Sequence, residues 1–433
     1  MRRGVWPAAI LIAVTSLAVS PAAEEERPTK RLTFGGSVRA RLSRLWNQFR
    51  PGLDENDQAF SLRTLLRTEV TLPRLSLVAE FQDSRAYLTD ENSAVSTIVV
   101  NAAGLLQGYV GTRLNDVFTE GATLDLRLGR QTIDLGGRRL VARNRFRNTI
   151  QNYSGLTAHW RGNDQSDWFA FFVLPVLVRP DNLDRAGLLD NDIASDEEDF
   201  DLRFWGASYR RPLGRGSIGE LYLFGLEEDD DPGELETRNR RLYTPGLRWL
   251  RPPGARRWDF DVETTVQFGT RRATPLPADV EPLDVRALFQ HGTIGYTFDE
   301  PWSPRLGAEW DYATGEADSS DGEWGRFDTL FGPRRTEFGP TGIYGILGRE
   351  NIVSVGPRLT LSPGSRLDGF VSWRANWLDE RSDFFARSLV RDPSGESGGF
   401  AGHQLELRGR YWWVPSTLCW EIGAALFLEG RFM

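Results

Sequence analysis

Arginine and carboxylate residues recur at two-residue spacing along this chain: Arg39 and Arg41, Asp259, Asp261 and Glu263, Glu309 and Asp311, Arg408 and Arg410. In an extended backbone such residues share one face. Fixed arginines on one face can do two things. Left unpaired around a passage they attract anions and make a pore anion-selective. Matched to acids on neighbouring strands they form salt bridges that only hold the wall together. Paired carboxylates such as Glu309 and Asp311 could also carry glycosidase-like acid–base chemistry. Of 52 Lys plus Arg residues only Lys30 is a lysine, so the positive charge is almost all guanidinium, whose rigid fork matches carboxylate and phosphate.

Other chemistry is sparse. His159, His291 and His403 are the only histidines, and none sits in an H-E-x-x-H or G-x-S-x-G context; they read as structural. Cys419 is the single cysteine, too few for a disulfide or a thiolate metal site. Asp229-Asp230-Asp231 lacks the ligand spacing of a calcium loop. No cofactor, no metal and no enzymatic activity are expected; a hydrolase or lyase is the lowest-ranked reading.

The elements that position these charges have a period of two. Phe34, Val38, Ala40 and Leu42 interleave with Ser37, Arg39 and Arg41. Leu62, Leu66 and Val70 interleave with Arg63, Arg67 and Glu69. Phe260, Val262, Val266 and Phe268 interleave with Asp259, Asp261 and Glu263. Val371, Trp373 and Ala375 interleave with Ser372 and Arg374. Leu405, Leu407 and Tyr411 interleave with Glu406, Arg408 and Arg410. Each segment thus makes one apolar and one charged ribbon, and many run to about ten residues, the length of a tilted membrane strand. Tryptophans such as Trp160, Trp249, Trp258 and Trp302 stand near segment ends, as in an interfacial girdle. Turns alternate short and long. These features predict an all-β fold, a transmembrane antiparallel β-barrel of about 16 to 18 strands with inward or long outer loops. The small apolar stretch Asn92–Leu106 lacks clear alternation and reads as a helix in a loop or in the lumen.

The first residues supply the compartment. Arg2 and Arg3 precede an apolar run from Val5 to Val19, and Ser20, Ala22 and Ala23 offer a small-residue site. This predicts a Sec signal peptide over 1–23, cleaved after Ala22 or Ala23, and a single barrel domain over 24–433. The net charge of −8 and isoelectric point near 5.3 argue against a nucleic-acid binder, and no later stretch has the ~20 apolar residues of a membrane helix.

Several segments resemble the alginate-export family. Leu128-Gly129-Arg130-Gln131, with Gly136, Arg138 to Ala142 and Arg147-Asn148-Thr149 behind it, is similar to that family's Gly-Arg-Gln segment and its arginine-rich continuation. Tyr312-Ala313-Thr314-Gly315, then Asp321-Gly322 and Phe327 to Gly332, is similar to its central loop signature. Gly402-His403-Gln404-Leu405 and Glu421 to Phe432 are like its closing strands. The resemblance implies a monomeric outer-membrane barrel of about 18 strands, with inward loops and an arginine-lined path for an anionic uronate polymer. Its partners would be lipid, lipopolysaccharide, the polysaccharide and periplasmic export components.

The substrate path is therefore expected to pass Arg127, Arg130, Arg138 and Arg147 at a constriction, with Arg39, Arg63, Arg67, Arg374 and Arg408 on the wall. Arg130 shares strand phase with Leu124, Leu126 and Leu128, so a bulge at Gly129 is needed to turn it inward. Strand phase sends nearly as many acids inward: Glu69, Glu80, Asp125, Asp259, Asp261, Glu263, Glu309, Asp311, Asp368 and Glu406. Passage of an anionic polysaccharide is the leading reading, and a general diffusion porin for small solutes or saccharides is the alternative.

Overall fold

A computed structural model of the chain describes residues 8–19, 30–230, 237–276, 278–318 and 320–433. Twenty strands follow in chain order: β1 Ala8–Val19, β2 Arg31–Trp46, β3 Asn56–Thr71, β4 Ser76–Tyr87, β5 Asn101–Asn115, β6 Thr123–Gln131, β7 Tyr153–Arg161, β8 Asp167–Leu177, β9 Glu197–Glu198 and β10 Leu202–Gly214. Then come β11 Ser217–Glu228, β12 Arg241–Arg251, β13 Arg257–Arg271, β14 Leu283–Thr297, β15 Arg305–Ala313, β16 Glu323–Trp324, β17 Ile352–Leu361, β18 Leu367–Trp377, β19 Phe400–Val414 and β20 Leu418–Glu429. β9 and β16 are two-residue pairings on loops. The other 18 form a closed antiparallel barrel, each paired to its neighbour and β20 to β1. Two helical turns, α1 Arg185–Asp190 and α2 Arg335–Phe338, lie in loops.

The expected alternation sorts side chains to the two faces. On β2, Leu32, Phe34, Val38 and Leu42 point out and are exposed, while Arg39 and Arg41 point in and are buried. On β13, Val262, Val266 and Phe268 are exposed, while Asp259, Glu263 and Gln267 are buried. A continuous exposed apolar band would not be tolerated in water and is what hydrocarbon requires of a barrel. Exposed Trp168, Trp249, Trp258, Trp302, Trp413 and Trp420 all stand at the end of the short turns, and several stack on neighbours, as Trp168 does on Tyr209 at 4.3 Å. That end carries connections as short as 215–216, and the opposite end carries 132–152, 178–201, 314–351 and 378–399. Short turns mark the periplasmic end and long loops the outer end.

Two expectations are amended. Asn92–Leu106 is not helical: it is loop up to residue 100, with Val95, Val99 and Val100 buried, and then the first residues of β5. The apolar part of the expected leader forms β1, antiparallel to both β2 and β20. β1 alone among the long strands has no charged residue. Ala8, Ile10, Ile12 and Val14 are buried inward, and Leu11 and Leu17 are exposed outward. The expected cleavage positions at Ala22 and Ala23 lie outside the described residues.

The outer half of the lumen is filled. Loop residues Ile133, Leu140, Val141, Phe327, Phe338, Ile343, Tyr344, Ile346 and Leu347 pack with wall residues Phe171, Phe204, Phe224 and Phe289 in one apolar cluster. Two of the inward loops, 132–152 and 314–351, meet where Val141 pairs with Phe331 and the Phe331 backbone N–H donates to Leu140 O at 3.0 Å.

Candidate functional site

The inward loop 132–152 is pinned by arginines of the wall. Arg39 donates to the carbonyls of Arg145 (2.9 Å) and Arg147 (2.7 Å) and to Asn148 Oδ1 (3.2 Å). Arg63 donates to the same two carbonyls at 3.1 and 2.9 Å, and Arg41 to Phe146 O at 2.8 Å. All three arginines are buried. A loop lacking strand partners has orphan carbonyls that must be satisfied, and these guanidinium groups satisfy them.

A second anchor is ionic. Arg139, on the loop, meets Glu263 and Asp261 of β13 at 2.5 and 3.0 Å and Glu337 of α2 at 2.9 Å. Glu337 also pairs with the fully buried Arg349, which donates to Arg139 O at 3.1 Å and Pro333 O at 2.7 Å. Burial opposes charge on both Arg139 and Glu337, but their opposite charges outweigh it: Arg139 is held above its ordinary pKa and Glu337 below.

Beneath loop 132–152, in the periplasmic half, lies a cavity of about 470 Å³. Its basic lining is Arg67, Arg127, Arg143, Arg145 and Arg210; its acidic lining is Asp134, Asp167 and Glu220, with His159 and Tyr109 beside them. Arg143 is spent on Glu80 at 3.1 Å and below, and Arg67 on Glu69 at 2.9 Å. Arg127, set 5.2 Å from the Tyr109 ring centroid, and Arg210 have no carboxylate within 4.0 Å among the described residues. Arg145 is 71 % exposed and reaches only Asp134, at 3.8 Å. The cavity therefore presents three arginines with spare hydrogen-bond donors.

The expected arginines divide. Arg127 and Arg67 line the cavity. Arg39 and Arg63 are pins of the loop. Arg374 is buried between Asp311 (2.9 Å) and Glu309 (3.0 Å), and Arg408 pairs with Asp368 at 3.3 Å; both are wall salt bridges. Arg138 is half exposed and pairs with Asp134 at 3.1 Å. Arg147 is half-buried, and desolvation followed by the Arg387 charge lowers it to about 10.

Arg130 is a correction. The register of β6 against β5 runs unbroken through Gly129, so there is no bulge, and Arg130 keeps the outward phase of Leu128. It is held there by Glu198, by Asp196 at 3.8 Å and by Leu105 O at 3.2 Å. Gly129 is nevertheless required: its φ is +126° and a Cβ would lie 2.4 Å from Gly108 O. Arg130→Glu is expected to leave ion selectivity as in the wild type, whereas Arg127→Glu shifts it. Reversal potentials of the two single variants check this, and an equal shift in both would place Arg130 in the path.

Arg143 and Arg145 were not expected, because they lie in a loop where strand phase carries no information; Arg210, on β10, was legible by its phase with Ser208. The histidines form no catalytic cluster: His159 pairs with Asp167 at 2.8 Å, buried His291 with Asp311 at 2.7 Å, and His403 stacks on Trp373 at 5.2 Å.

The barrel resembles solved outer-membrane proteins of Pseudomonas aeruginosa. OpdK matches with a TM-score of 0.53 at 10 % identity over 97 % of each chain. OccK9 (OpdG) matches with 0.53 at 12 % identity, also over 97 % of each. OpdK with vanillate matches with 0.51 at 10 % identity, over 98 % of this chain and 99 % of that one. At such identity the likeness concerns the fold. The sequence has no significant match among functionally curated proteins. The profile of alginate export proteins matches residues 30–433, which begins one residue before β2 and spans every later strand. With its 18-stranded closed barrel, its lipid-facing apolar band and this match, the chain is an outer-membrane channel belonging to the alginate export family.

Proposed function

We propose that the channel passes an anionic saccharide, in the form of an alginate-like uronate polymer, and that the lumenal cavity is its selective station. The observation that carries this is the trio Arg127, Arg145 and Arg210: three guanidinium groups converge on one cavity in a wall whose other arginines are mostly neutralised. Each uronate unit carries one carboxylate, which arginine binds in a bidentate fashion. Several weak sites suit passage better than one tight site. The chain acts without catalysis and as a monomer in lipid and lipopolysaccharide, drawing polymer from periplasmic export components. Residues 1–23 serve as a Sec leader, whose removal takes β1 out of the wall and leaves β2 and β20, which β1 separates here, to close on each other around 17 strands; the lack of charge on either face of β1 fits a leader's apolar core.

A second reading, a general diffusion porin for small solutes or saccharides, is favoured by size. At about 470 Å³ the cavity falls within the range of small-molecule sites.

The test is the reversal potential of the purified protein in a bilayer under a KCl gradient, repeated with added oligouronate. Anion selectivity with block by oligouronate is expected. A weakly selective or cation-selective pore that oligouronate leaves unblocked would overturn the proposal in favour of the general porin.

A further inference from the structure

A second cavity, of about 550 Å³, lies at the opposite end of the barrel among the long outer loops. Six arginines line it: Arg238, Arg240, Arg271, Arg326, Arg387 and Arg391. Its four acids are largely occupied. Asp328 is taken by Arg240 at 2.7 Å, Glu350 by Arg387 at 2.7 Å and Asp383 by Arg326 at 2.6 Å. Glu316 accepts from the Gly325 backbone N–H at 2.7 Å, and burial, then the Asp383 and Asp321 charges, push its carboxyl up toward the neutral form.

Arg238, Arg271 and Arg391 have no carboxylate within 4.0 Å among the described residues. Arg271 is buried, and its guanidinium lies 3.8 Å from the Trp324 ring centroid. Arg391 donates only its Nε, to Ser382 O at 2.7 Å, and sits 5.3 Å from the Phe384 centroid, leaving both terminal nitrogens available. Phe384 and Leu389 are exposed at the mouth. Spare guanidinium donors beside exposed apolar faces match a sugar ring that carries a carboxylate: the fork takes the carboxylate and the apolar faces take the ring C–H groups.

We propose that this outer cavity is a separate binding station for an anionic saccharide, with Arg238 and Arg391 as its carboxylate clamp and Phe384 and Leu389 as its apolar platform. It rests on the reading of the channel as a path for anionic saccharide. It adds a site on the outer side of the loops that fill the lumen, distinct from the Arg127–Arg210 cavity.

The test is sided block. An oligogalacturonate trimer is added to one chamber of the bilayer at a time, with neutral maltotriose as the control for size. The variant is Arg238→Gln with Arg391→Gln, both in loops, and heat-modifiable gel mobility verifies that its barrel has assembled. The expected result is a rise of about tenfold or more in the concentration needed for block from the outer side, the scale of one or two hydrogen bonds to a charged group. Block from the periplasmic side and the reversal potential stay as in the wild type. Unchanged outer-side block in the assembled variant, with anion selectivity intact, overturns the station and leaves the channel reading standing. Equal block by maltotriose also overturns it, because charge would then be irrelevant. A wild type that is neither anion-selective nor blocked from either side removes the channel reading, and the station with it.

Discussion

Arg139→Met should release the inward loop from the barrel wall. Methionine fills much of the same volume but leaves buried Glu263 with only Arg248, at 4.0 Å, and buried Glu337 with only Arg349. Breaking one partner out of a buried ionic cluster costs about 3–5 kcal/mol, because the remaining charges stay desolvated. The barrel itself is held by strand pairing around its full circumference, so the loss falls on the loop. Single-channel conductance should rise and become noisier, and trypsin should cut at Arg143 or Arg145, which the wild type protects through the pins from Arg39, Arg41 and Arg63. Wild-type conductance and protease resistance in the variant would show that those pins suffice alone. Acid should act in the same direction. Glu337 is held below the ordinary glutamate range by Arg349 and Arg139. Its contribution is therefore fully present above about pH 4.5, the unfolded value, and is lost as pH falls through the lower folded value. Noise should grow at the acid end in the wild type and be less pH-dependent in Arg139→Met.

Reversing the charge of the lumenal trio should invert selectivity. Arg127→Glu with Arg145→Glu and Arg210→Glu changes the cavity by six charge units without touching a buried salt bridge, since Arg127 and Arg210 have no acidic partner and Arg145 has only a distant one. In a confined lumen with low-dielectric walls the effect of fixed charge is larger than in bulk water. The reversal potential under a KCl gradient should change sign, and block by oligouronate should disappear. A variant that stays anion-selective would mean that the cavity lies off the conducting path.

The sequence announced the barrel because a strand's period of two leaves one ribbon for lipid and one for the lumen, and the two are chemically opposite. Phe34 and Leu42 against Arg39 and Arg41 show it on a single strand. The same period also told where Arg130 points: its phase with Leu128 was right, and the inward turn at Gly129 was not, since a glycine at positive φ can keep the register without a bulge. Phase says which side a residue faces and nothing about what it meets there. Arg39 and Arg63 face inward as expected, yet their donors are spent on carbonyls of a loop more than eighty residues away. Arg143 and Arg145, which complete the cavity, lie on that loop, where no periodicity exists to be read.

The apolar contact between the two inward loops, Val141 against Phe331, bears on the kind of cargo. It stands between a chamber on the periplasmic side and a chamber at the outer rim, each large enough for a small solute. A short molecule can be handed across in stages, as through an airlock, with the partition giving way only for an instant. A polymer cannot, because its chain occupies both chambers and the partition together, and the partition must stay parted for as long as the thread is moving. Cargo length is thereby tied to loop mobility: a channel whose loops are cross-linked at this contact should stop threading chains.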